Sequence, residues 1–411
     1  MFDRLGNHNL MRPQLVQPFF SKIKTGLNVI KDDRMRVALL ASLVILVLFA
    51  IHFTRIFLPG TLGTGEGQQD YAAFFGAAKA AVSAGIGNIY DPAVFQEAIG
   101  AQTSLLWLYP PPMLFALAPF AFMPYGAMKL ILVIATITCA FLIAKRASGS
   151  TVIGILGAIS PASFAALFVG QISAVFALLL VTGLFSAARR PVLSGICFGL
   201  LTVKPQYGLL VIPFLIAMRA WNAMAAAAIV SIVIALLSSL VFGIEMWRDF
   251  FDSLLGGIHA AYYESGGHSG RITLSDAIKG AGFNAPSAII LYAPLIVAAI
   301  AGLFVIAKRA STEMTIAYTL AATAVICPYF FVYDYFIVNA AILIVATQGP
   351  KLKALHIYPL MGLWFAPVIP FSWGSALTPT FLWPLAALGA IVIWHAARPN
   401  DQASPHLAGP A

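Results

Sequence analysis

Apolar residues run along this chain in long unbroken stretches, and polar residues gather where the stretches end. Continuous runs predict membrane-length helices, whereas a membrane barrel would alternate apolar and polar positions. The runs place spans near 37–58, 125–145, 151–169, 172–188, 192–203, 206–219, 223–243, 286–307, 313–331, 334–348, 355–371 and 379–397. At about 20 residues per crossing this is an all-α polytopic membrane protein of about twelve transmembrane helices.

One run resists the pattern. The apolar segment 110–123 is about 14 residues long, about 21 Å as a helix, and a full crossing there would invert every later segment. It reads as a membrane-dipping piece attached to a loop. The runs 192–203 and 206–219 are also short, and Lys204-Pro205 interrupts them. Broken backbone at that depth is tolerated where it is buried in protein or lines a wet cavity. The break therefore points to a cavity.

Composition confirms the class: 60% of residues are hydrophobic and 9% charged, with a mean hydropathy of +0.90. Soluble domains carry roughly 25% charged residues. The formal charge of +9 does not indicate nucleic acid, because the basic residues sit in the N-terminal tail and at segment ends. Lys145-Arg146, Arg189-Arg190, Arg219, Lys308-Arg309, Lys351, Lys353 and Arg398 all fit one orientation with both termini in the cytoplasm. That orientation makes 1–36 and 398–411 cytoplasmic tails and 37–397 the transmembrane domain. It puts 59–124 and 244–285 outside as two large loops. The N-terminus reads as an uncleaved anchor, since 37–58 is a full span without a small-residue cleavage site. Cys139, Cys197 and Cys327 fall in apolar segments without CxxC spacing and read as buried small hydrophobes.

The candidate chemistry lies in the polar insert between Gly60 and Tyr109 and in a few polar residues set among the later spans. Asp70 opens a helical stretch and reads either as its N-cap or as an acid working beside the bilayer. Asp91-Pro92 reads as a cap with proline in the first helical position. Lys204 either snorkels to the interface or meets an anionic ligand. Gln171 follows Gly170 in a tight turn. Asp334 is an acid near membrane depth, either functional or paired with a base or a tyrosine hydroxyl. In the second loop His259 and His268 lack metal-ligand spacing, so no metal site is expected. No nucleotide-binding loop and no GxSxG elbow appears.

In order, the stretches Gln69-Asp70-Tyr71, Ile89-Tyr90-Asp91-Pro92, Tyr109-Pro110-Pro111, Gly170-Gln171, Lys204-Pro205-Gln206 and Tyr333-Asp334 resemble glycosyltransferase family 87 over roughly residues 37–348. The resemblance implies a GT-C fold and transfer of a sugar, mannose or another hexose, from a polyprenyl-phosphate donor. The acceptor would be a lipid or glycan at the outer face of the plasma (inner) membrane. It implies Asp70 as general base, inversion at the anomeric carbon, and no cofactor beyond the donor. Tyr109, Gln171, Gln206 and Asp334 join as substrate-binding candidates. Lys204 is the expected cation for the leaving phosphate, with Arg271, His259 and His268 in reserve. Membrane lipids are the expected surroundings and nucleic acid is not a partner. A transporter or flippase for a lipid-linked sugar is the alternative, yet it would favour paired broken helices in both halves. A non-catalytic envelope scaffold would need no acid beside the bilayer.

Overall fold

In a computed structural model, the residues described are 21–43, 47, 69–83, 89–99, 105–258, 273, 285–349 and 354–368. Most of the expected first span, the whole of the last, the C-terminal tail and most of the second loop lie outside them. Among the described residues every regular element is helical. After helical residues 21–27 and 33–43 come α1 (Gln69–Val82), α2 (Pro92–Ile99), α3 (Met113–Leu117), α4 (Tyr125–Ser148), α5 (Thr151–Ala158), α6 (Pro161–Val169) and α7 (Ser173–Ser186). Then follow α8 (Pro191–Leu200), α9 (Val211–Ala217), α10 (Trp221–Phe242), α11 (Ile244–Leu255), α12 (Ala285–Arg309), α13 (Thr312–Ile326), α14 (Phe336–Gln348) and α15 (Ala354–Phe365).

Among the described residues, four helices are long and apolar enough to cross a membrane: Tyr125–Ser148, Thr151–Val169, Trp221–Phe242 and Tyr292–Arg309. Six shorter apolar helices of 10–17 residues accompany them. Helix length therefore does not establish about twelve spans. Among the described residues, the steps at Lys204-Pro205 and Cys327-Pro328 end helices that fall short of the roughly 20 residues a crossing needs. Even the span 151–169 is divided, because the Ser160 hydroxyl caps α6 by accepting from Ser163 N and Pro161 takes the first helical position. The expected dipping segment 110–123 is α3 followed by a 3-10 turn, Ala118–Phe122. Lys79 on α1 donates to the Ala121 carbonyl and ties that segment to the first loop.

The interior is formed by α13 and α14, buried on nearly all sides, as expected of helices apolar all round. By contrast α10 turns Ile229, Ile232, Leu236, Leu240 and Val241 outward. Its inner side packs on α8 through Gly195-x-x-x-Gly199, a spacing that lets two helix backbones approach closely. A Cβ at Gly195 would lie 2.8 Å from the backbone nitrogen of Ala227, and one at Gly199 would collide with Val230.

Gly195→Val is accordingly expected to lower stability by about 1–3 kcal/mol through overpacking. Thermal unfolding in detergent reads the effect, and an unchanged melting temperature would contradict the backbone contact.

Candidate functional site

The site begins with a glycine. Gly170 ends α6 in the left-handed conformation, φ 84°, with its N–H returned to the Ala166 carbonyl, a geometry that disfavours any Cβ. A Cβ there would also lie 3.0 Å from the backbone nitrogen of Tyr71. This close approach carries the following residue, Gln171, onto α1. Its Nε2 donates to Asp70 Oδ2 at 2.6 Å, and its Oε1 accepts from Tyr109 Oη at 3.3 Å. Tyr90 Oη in turn donates to the Tyr109 carbonyl at 2.8 Å.

Asp70 lies inside the first turn of α1, not ahead of it, and is half-buried. Among the described residues its second oxygen, Oδ1, accepts no hydrogen bond. Burial pushes the carboxyl up to about 6, while the Gln171 amide and the Lys204 charge pull it back down. Asp91 is the structural residue the sequence suggests. It is exposed, and its Oδ1 accepts from Ala93 N and Val94 N at 2.8 and 3.3 Å to cap α2.

A second cluster forms around Asp334, which is fully buried in the 3-10 turn Val332–Asp334 ahead of α14. Its Oδ1 accepts from Lys204 Nζ at 2.6 Å and from Tyr207 Oη at 2.7 Å. Its Oδ2 accepts from Phe331 N at 3.0 Å. Lys204 stands ahead of Pro205, which disfavours helical geometry in the preceding residue, and it adopts φ −132°, ψ 71°. The helix breaks there and the ammonium turns inward, donating also to Ser173 Oγ at 3.2 Å. The rings of Tyr207, Phe176 and Tyr333 lie 4.5, 5.5 and 5.7 Å from it, within cation–π range.

Phe176 joins the two clusters. Its ring stacks on Tyr109 at 6.0 Å and lies 5.5 Å from the Lys204 ammonium. Each of the six stretches that resemble the family thus contributes to a continuous network, through Asp70, Tyr90, Tyr109, Gln171, Lys204 and Asp334. Gln206 is half-buried and takes no hydrogen bond in it. Arg271, His259 and His268 lie outside the described residues. Sequence reading missed Ser173, Phe176 and Tyr207. A local signal existed for Tyr207 alone, three residues after Lys204, where a 3-10 turn brings i and i+3 onto one face.

The arrangement offers a carboxylate with one oxygen anchored and one open, next to a buried ammonium that does not bond it. That suits proton acceptance from a hydroxyl. The family model described as glycosyltransferase family 87 matches residues 107–332. No curated protein and no solved structure matches the chain.

Removing one member of a buried ion pair strands the other, at a typical cost of about 3–5 kcal/mol. Lys204→Met is therefore expected to destabilise the protein strongly. Adding Asp334→Asn to it should restore most of the loss, because no buried charge is then left alone. Denaturation in detergent compares the two; equal loss in the single and double variants would refute the pairing.

Proposed function

The matched region spans more than half of the chain, which therefore belongs to glycosyltransferase family 87 and is a membrane glycosyltransferase, and from that premise we propose that Asp70 is the general base of sugar transfer. The observation that carries the reading is the Asp70 carboxylate, anchored through Oδ2 by Gln171 while Oδ1 accepts no hydrogen bond among the described residues. The donor in this reading is a sugar, mannose or another hexose, on a polyprenyl phosphate, and the acceptor is a hydroxyl of a lipid or glycan. Asp70 Oδ1 takes the hydroxyl proton as that oxygen attacks the anomeric carbon. The carbon–phosphate oxygen bond breaks, and the bonding pair leaves with the lipid phosphate. One displacement inverts the centre. A carboxyl near 6 is ionised at neutral pH yet basic enough to hold the proton, the balance that favours a general base.

Lys204 has three N–H donors, and two are committed to Asp334 and Ser173. The third is assigned here to a phosphate oxygen of the donor, with Arg271, His259 and His268 as further cations from the second loop. Charge of that sign at the leaving oxygen is worth most in a site that excludes water. The reaction is placed at the outer membrane face, where the charge pattern puts the first loop.

Purified protein incubated with a panel of polyprenyl-phosphate sugars and membrane lipid extract should glycosylate one acceptor class, identified by mass spectrometry. No product from any donor would sink the reading. Asp70→Asn should cut transfer by about 10²–10⁴-fold, the usual share of a general base, with thermal stability nearly unchanged. Near-normal transfer by that variant would remove Asp70 from the role.

Gln171→Leu tests the anchor. Without the amide donor the carboxylate loses stabilisation and its pKa rises above about 6. The base is active when ionised, so the acid limb of the pH–rate profile should move to higher pH. A limb that stays in place would mean that Gln171 does not govern Asp70.

A further inference from the structure

The helix α11 has three faces, not two. Successive residues step by about 100° around a helix, and on that wheel its side chains fall into separate sectors. Met246, Phe250 and Ser253 form the first and are buried against the protein. Glu245, Arg248, Asp249 and Asp252 form the second; Arg248 lies 3.8 Å from both Glu245 and Asp252 in exposed ion pairs. Ile244, Trp247, Phe251, Leu254 and Leu255 form the third. Of these Trp247 is half-buried and the rest are exposed, Leu255 to 82%. A water-facing helix has no use for that third sector, and a membrane-spanning helix could not carry the second.

We propose that α11 lies in the plane of the membrane boundary, with its third face docked on the acyl chains of bilayer lipid and its charged face among the headgroups. Continuity with α10 carries the assignment. The outward apolar face of α10 runs to Val241, and a single residue, Gly243 at φ 87°, turns the chain into α11. Trp247 Nε1 donates to Ser238 Oγ on the last turns of α10 at 3.0 Å and fixes the corner. The apolar surface therefore passes from a crossing-length helix onto α11 where the crossing ends. A strongly amphipathic helix with aromatic residues on its apolar side is the form that rests at this depth.

The buried face then has a consequence. Phe250 meets the Tyr90 ring at 5.6 Å, and Tyr90 holds the Tyr109 carbonyl. The lipid boundary is thereby set in fixed relation to the network around Asp70, whatever chemistry that network performs.

The test uses the full-length protein in nanodiscs of phosphatidylcholine and phosphatidylglycerol. A benzophenone amino acid is introduced singly at Phe251, Leu255, Arg248 or Asp252, and the photoproducts are read by mass spectrometry. Acyl-chain adducts are expected from positions 251 and 255 and none above background from 248 and 252. If a variant fails to insert, Leu254 replaces it on the apolar face and Glu245 on the charged one. Acyl-chain adducts at equal yield from both faces, or adducts from 251 and 255 to the protein's own chain, would overturn the proposal.

Discussion

An ammonium and a carboxylate in contact inside an apolar bundle, Lys204 and Asp334 at 2.6 Å, set the terms for the elements around them. Taking both charges out of water is costly, and mutual attraction compensates only when the remaining donors and acceptors are also filled. Here they are filled from several directions. Tyr207 and the Phe331 N–H complete the carboxylate, while Ser173 and three aromatic rings surround the ammonium. These partners come from the broken segment after α8, from the start of α7 and from the turn before α14. None of the three can shift alone without leaving a buried charge unmet.

The same constraint explains where helices are short and where they are long. Non-helical backbone within a membrane protein is tolerated where protein covers it. Lys204-Pro205 and the stretch from Cys327 to Tyr335 break the helical path beside the pair, and both segments carry buried residues. α10 looks outward over most of its length, must satisfy its own backbone, and runs unbroken for 22 residues. Helix length in this chain therefore tracks what a helix faces.

Sequence alone made legible what depends on neighbours. The apolar runs, the cap at Asp91-Pro92 and the break at Lys204-Pro205 were each readable from a few adjacent residues. The choice of partners was not, since Lys204 and Asp334 are 130 residues apart and Asp70 and Gln171 are 101 apart. Gln171 reads as a loop residue until Gly170 is seen against the backbone of Tyr71. Phe176 is one of 30 phenylalanines, and nothing near it in sequence marks it as the bridge between Tyr109 and Lys204. Running apolar stretches together into spans also overlooked Ser160 and Pro161, whose capping chemistry divides one stretch into two helices.

The division of labour between the two aspartates bears on the base proposed for Asp70. The Asp334 carboxylate already accepts from Lys204, Tyr207 and the Phe331 N–H, which leaves it ill placed to take a proton from a substrate. A buried carboxylate with no donor at all stays protonated. Lys204 spends its short contact on Asp334, so it acts on Asp70 only across space, and less strongly than the Gln171 hydrogen bond. Burial then outweighs both and leaves the Asp70 carboxyl near 6. The ion pair that fixes the fold thus also keeps the nearby ammonium from neutralising the Asp70 carboxylate.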